Sequence, residues 1–221
     1  MPSSASAGDA PPEATAVARR YHRLERSISG AVALLSVGVV AAAILFAPLL
    51  VGLLVALAVV VLLRIPLFRT SGTARLASTA EPRSVLADFE SATPPLLAFQ
   101  WGVADSVQSE VDGAVYDFSY LFGLRSVRME TTVRSVTASE SDSSADLELD
   151  VTADGNPWGT YSVSIHEGAS RTLADIDWES SRKFGLRRLP QWFVAERYRA
   201  EMLTAQGYRV LDRDASLSLS V

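Results

Sequence analysis

The side chains in this sequence able to do chemistry are few and scattered. The chain has 221 residues, two histidines and no cysteine. Disulfides, thiolate metal sites and cysteine nucleophiles are therefore excluded. His22 falls in a basic segment, "RRYHRLER" at 19–26, where solvation is its ordinary state. His166 sits beside a turn on the polar register of an alternating segment, which reads as an exposed strand residue before it reads as a general base. Two histidines without cysteine do not assemble a transition-metal site. The carboxylates of "SESDSSADLELD" at 139–150 lack the spacing and the glycine of a calcium loop and read as a solvated acidic loop. Phosphate-loop, dinucleotide, nucleophile-elbow and zinc-helix spacings are absent. No catalytic residue, metal site or cofactor is expected, and a non-catalytic role is favoured over an enzyme such as a cyclase or hydrolase.

Two groups of residues point to binding instead. Tyr116, Phe118, Trp158, Trp178, Trp192 and Tyr198 could line an apolar ligand cavity, with ordinary core packing as the plainer alternative. The second group is "SRKFGLRRL" at 181–189, which gathers Arg182, Lys183, Arg187 and Arg188. Cations at a helix start oppose its dipole, so helix stability does not explain them. An anionic bilayer surface would, at about 1 kcal/mol per basic residue; pairing with nearby carboxylates is the alternative.

The charge balance sharpens that contrast. Residues 1–80 carry seven Arg against Asp9, Glu13 and Glu25, a balance of +4; residues 81–221 carry 13 basic and 22 acidic groups, a balance of −9. A domain that acidic is a poor partner for nucleic acid, which is bound by neutralising phosphates. Lys183 is the only lysine among 20 basic residues. An acidic, lysine-poor surface is similar to that of salt-adapted proteins; a genome that encodes Arg in place of Lys gives the same composition.

The elements that must position these residues begin with a disordered, small and polar tail, assigned to 1–18. Next come the basic segment and 37 residues between Arg26 and Arg64 without a charge. A crossing helix needs about 20 residues for a hydrocarbon core of roughly 30 Å, and 37 helical residues would reach about 55 Å. The expectation is a transmembrane helical hairpin within 19–69, with spans at 27–46 and 49–68 and Pro48 in the turn. Arginines flank both outer ends, so the positive-inside tendency puts the N-terminus and the C-terminal domain in the cytoplasm of a multi-pass membrane protein. The turn "FAPLLVG" has no polar residue, as in a hairpin that dips into the bilayer without crossing.

The cytoplasmic domain is assigned to 72–221. "GTARLAST" (72–79) reads as a strand, and "AEPRSVLADFE" as a short helix capped by Ser78 or Thr79, with Pro82 in its first turn. Thereafter the period is two. Asp112-Gly113 marks a hairpin. Val127, Met129, Thr131 and Val133 form one inner row; Leu147, Leu149 and Val151 form the next. Tyr161, Val163 and Ile165 follow, then Thr172, Ala174, Ile176 and Trp178. Six antiparallel strands are expected, with an acidic loop at 137–146. A helix from Pro190 to the terminating Gly207 follows, and "YRVLDRDASLSLSV" forms an extra strand.

The order strand, short helix, six-stranded meander, long helix resembles the helix-grip superfamily, the START and polyketide-cyclase-like (SRPBCC) domains. The resemblance is topological, spans about 72–207, and is carried by "STAEPRSVLADF", the hairpins from Val103 to Trp178, and "LPQWFVAERYRAEML". It implies an α+β fold in which an antiparallel sheet of six to eight strands wraps the last long helix around a cavity for lipids or other apolar ligands. The functional expectation is a bilayer-anchored domain that binds an apolar or lipid-like ligand. The alternative is an anchored scaffold for a protein partner that the sequence leaves unknown.

Overall fold

The computed structural model describes residues 11–120, 124–138 and 144–219. Helix α1 (Pro12–Phe46) runs unbroken through the basic segment, with Pro12 in its first turn and Glu13 where the helix dipole favours an acid. Ala14, Val17 and Ala18 are buried, and with Tyr21 they follow the i, i+3, i+4, i+7 spacing of one helix face. Residues 12–18, expected as disordered tail, are thus helix packed on the domain.

Helix α2 (Leu49–Arg64) turns back along α1 after Pro48, which caps it with φ −54°. Gly52 allows the close approach: a Cβ there would lie 2.9 Å from the Ala43 carbonyl oxygen. The helix stops at Arg64 because Ile65 precedes Pro66 and takes an extended conformation, φ −63° and ψ 121°, as the proline ring requires of its neighbour. Sixteen residues reach about 24 Å, short of the roughly 30 Å core. Phe68, expected to close the second span, opens a strand instead.

This corrects the expected membrane placement. Among the described residues only α1 is long and apolar enough to cross a membrane, and its apolar window is unburied. The two-span, multi-pass arrangement with N-terminus and domain on the cytoplasmic side does not stand. The apolar faces of both helices are open, with Leu34 75% and Phe46 89% exposed on α1 and Leu49 79% on α2.

The domain that follows is one eight-stranded sheet ordered β2-β3-β4-β5-β6-β7-β1-β8. Its strands are β1 (Phe68–Ser78), β2 (Ser106–Glu110), β3 (Gly113–Tyr120), β4 (Arg125–Ala138), β5 (Ser144–Ala153), β6 (Asn156–Glu167), β7 (Thr172–Glu179) and β8 (Arg209–Leu219). Every neighbouring pair is antiparallel. Between β1 and β2 lie α3 (Pro82–Glu90), a 3-10 turn (Pro95–Leu97) and α4 (Ala98–Trp101); α5 (Leu189–Thr204) precedes β8. The order of strand, short helix, meander and long helix is the expected one, with β7 closing back on β1 and the extra strand β8 pairing with the far edge of β1.

Local sequence explains most of this. Met129, Leu147, Leu149, Val151, Val163, Ile165, Ala174 and Ile176 of the inner rows are all buried, because alternation gives each strand one apolar face. Asp154 and Gly155 turn β5 into β6 with φ 49° and 73°, a two-residue turn of the I′ kind. Helix α3 has Glu81 rather than Ser78 or Thr79 at its cap position; the Ser78 hydroxyl instead accepts the Ala80 N–H. β4 and β5 extend into the expected acidic loop, whose residues 139–143 lie outside the described residues.

Candidate ligand cavity and basic cleft

The layer between sheet and α5 is closed at one end and open at the other. Met202 and Leu203, in the last turn of α5, are buried with Leu96, Ala98 and Ile176, leaving only about 10 Å³ of space. Toward the first turns of α5 a cavity of about 290 Å³ remains, bounded by Trp158 and Tyr161 of β6, Trp178 of β7, Phe184 and Trp192. Tyr21 and Glu25 of α1 close another side, and Gln191, Glu179, Arg182 and Arg188 add polar groups. The volume lies at the lower end of the range for small-ligand sites.

Particular contacts hold these walls. Gly72 of β1 pairs with Trp178, and a Cβ at Gly72 would lie 2.4 Å from the indole, so the missing side chain is what seats the ring. The Arg213 guanidinium of β8 stands 4.4 Å from the Trp178 ring centroid and donates to both Glu196 carboxylate oxygens, at 2.8 and 3.2 Å. Burial lowers the Arg213 pKa, and the Glu196 contact opposes that. Trp192 meets Phe193 edge-on at 4.9 Å. Gln191 donates to the Ser29 hydroxyl, and the Tyr21 ring lies 4.6 Å from Phe99 and 6.3 Å from Tyr198. These contacts hold the open end of the cavity against α1, next to the start of its charge-free segment.

Of the six aromatic candidates, the structure brings three together: Trp158, Trp178 and Trp192 all face the cavity. Tyr116 is instead fully buried and donates to the Ala92 carbonyl at 3.0 Å; burial raises its pKa. Phe118 lines a separate cleft with Arg19, Arg23 and Arg26, and Tyr198 packs on Tyr21. Sequence reasoning missed Tyr21, Phe184, Gln191 and the Gly72–Arg213 frame around Trp178. The signals were present for two of these: Tyr21 completes the 14-17-18 stripe, and an isolated strand glycine marks a close approach.

Arg182, Lys183, Arg187 and Arg188 line a third cleft, between the two apolar helices and the segment that leads into α5. Arg182 and Arg188 belong to the cavity as well. His166 lies on the outer face, its Nδ1 3.9 Å from an Asp175 oxygen that Arg75 also approaches. Among the described residues there is no group of three or more metal-ligating side chains. The aromatic walls, with arginine and glutamate at their margin, suit an apolar body that carries a polar end.

No protein-family model matches the chain, and no curated protein sequence does. Solved structures similar to it include a START superfamily protein from Mycobacterium smegmatis, 19% identical over 63% of this chain and 97% of the other, TM-score 0.37. Ara h 8.0201 is 9% identical over 62% and 94%, TM-score 0.38. Truncated norcoclaurine synthase from Thalictrum flavum is 6% identical over 65% and 96%, TM-score 0.30. Likenesses this remote carry no argument about function; the strand order itself carries the fold.

Proposed function

We propose that the protein is a membrane-anchored domain whose cavity takes an apolar or lipid-like ligand without transforming it. The observation that carries this reading is the cavity of about 290 Å³ walled by Trp158, Trp178 and Trp192, held by Gln191 and Ser29 beside the exposed apolar part of α1. Aromatic and apolar walls favour a ligand that leaves water. Placement beside the start of the charge-free segment of α1 supports exchange with a lipid phase. The anchoring part of the reading is supported by the charge-free, unburied segment of α1. A core helix of a soluble protein would be covered.

The full chain purified in a nonionic detergent, extracted and analysed by mass spectrometry, is expected to release a co-purified lipid or other apolar molecule. Trp178→Ala together with Trp192→Ala should reduce that yield several-fold while the fold persists by circular dichroism. A wild-type protein that emerges empty and fails to take up a fluorescent fatty acid overturns the reading in favour of an anchored scaffold with no small-molecule ligand.

A further inference from the structure

The cleft at the foot of the apolar helices differs in construction from the cavity. It encloses about 520 Å³, and one wall is apolar, formed by Val32 and Ala33 of α1 and by Val60 and Leu63 of α2. Five cations share the cleft with that wall: Arg64 at the end of α2, and Arg182, Lys183, Arg187 and Arg188 on the segment leading into α5. Among the described residues no carboxylate lines the cleft, and none of the five cations forms an ion pair. Arg188 retains exposed surface, yet partial desolvation and the neighbouring Arg182 and Arg187 lower its pKa, against the pull of Glu25.

The clustered cations sit on a held backbone. The Leu67 and Phe68 N–H groups donate to the Phe184 carbonyl at 3.1 and 3.0 Å, and the Phe184 N–H donates to Phe68 at 2.8 Å. Gly185 abuts α2 so closely that a Cβ would lie 2.8 Å from the Ile65 carbonyl oxygen. Residues 182–188 are therefore fixed against the chain that joins α2 to β1. Five like charges gathered there, in a domain that is otherwise acidic, repel one another unless an anion intervenes.

We propose that this cleft binds one anionic phospholipid of the surrounding bilayer. An acyl chain lies along the apolar wall of α1 and α2, and the phosphate sits among the five cations, where guanidinium groups offer paired donors to its oxygens. Only an amphiphile satisfies both walls at once. Charge complementarity selects an anionic headgroup over a zwitterionic one. The inference rests on the reading that the apolar helices lie in lipid, and its test separates the two.

The full chain is reconstituted into phosphatidylcholine vesicles and into vesicles that also contain phosphatidylglycerol. Flotation with both kinds tests the anchor, and a chain that floats with neither overturns the anchor reading together with this one. Native mass spectrometry of the detergent-solubilised chain then compares retention of phosphatidylglycerol with that of phosphatidylcholine. Arg64, Lys183 and Arg187 line the cleft but not the cavity, so a triple variant Arg64→Gln, Lys183→Gln, Arg187→Gln isolates it. Three basic residues at about fivefold each predict a preference for phosphatidylglycerol reduced by about a hundredfold in that variant. Flotation and the cavity's lipid yield should be retained. A companion variant, Arg64→Lys with Arg187→Lys, should keep most of the preference. Equal retention of the two lipids by the wild type overturns the proposal, as does a preference that survives the triple variant. Loss of the preference on adding inorganic phosphate at constant ionic strength would assign the cleft to a free anion and overturn the lipid assignment.

Discussion

Tyr208 ties the chain's last turn to its first short helix. Its hydroxyl donates to an Asp88 carboxylate oxygen at 2.7 Å, and its ring meets Phe89 edge-on at 5.9 Å. Burial, with the Asp88 contact, raises its pKa above the ordinary value of 10.0. The folded state therefore holds this proton more tightly than the unfolded chain. That contribution is fully present below about pH 10 and is lost as pH rises toward the folded value. Above about pH 10 stability should fall by about 1.4 kcal/mol per pH unit for this one proton. Tyr208→Phe should remove that part of the slope and cost about 1.5–3 kcal/mol at neutral pH through the lost bond to a charged acceptor. Urea unfolding across the alkaline range checks both; an unchanged slope in the variant would refute the assignment.

At the scale of elements, α1 has two unlike halves. Its first turns bury Ala14, Val17 and Ala18, and Arg20 reaches Glu201 of α5 at 2.9 Å. Its later turns are open and apolar. A chain beginning at Arg19 loses the buried stripe and should be destabilised by about 2–4 kcal/mol, from the apolar surface re-exposed. Thermal unfolding in one detergent measures this, and an unchanged midpoint would restore the disordered-tail expectation. Helix α2 illustrates how one residue limits an element. Pro66 was legible in the sequence, and its effect on Ile65 accounts for the end of the helix at Arg64.

Across the whole molecule, closure depends on contacts distant in sequence. Arg75 of β1 bonds Asp175 of β7 across 100 residues, and Ser71 meets Ser216 of β8 across 145. Pairings this remote form late, because chain entropy must be lost before they contribute. β8 covers the edge of β1 and delivers Arg213 to Trp178 and Glu196. A chain ending at Tyr208 leaves β1 as an open edge, the usual template for aggregation. It should lose cooperative unfolding and elute as large species in size-exclusion chromatography; a monodisperse, cooperatively unfolding truncation would show that β8 is dispensable.

The alternation of Leu147, Leu149 and Val151, and of Tyr161, Val163 and Ile165, by itself determined which face of the sheet is buried. A period of two encodes inside and outside strand by strand, and turn residues such as Asp154-Gly155 encode the meander that joins them. The charge-free run likewise determined that apolar helix precedes the sheet on both sides of Pro48, though not where either helix begins or ends. What only the tertiary structure decided is where packing runs out. Trp158, Trp178 and Trp192 share a cavity while Tyr116 fills the core, although all four read alike along the chain. That difference depends on Gly72, Arg213, Ser29 and Gln191 converging from four separate elements. Local periodicity carries no term for such convergence, because a void is set by the distances between elements and not by the pattern within any one of them.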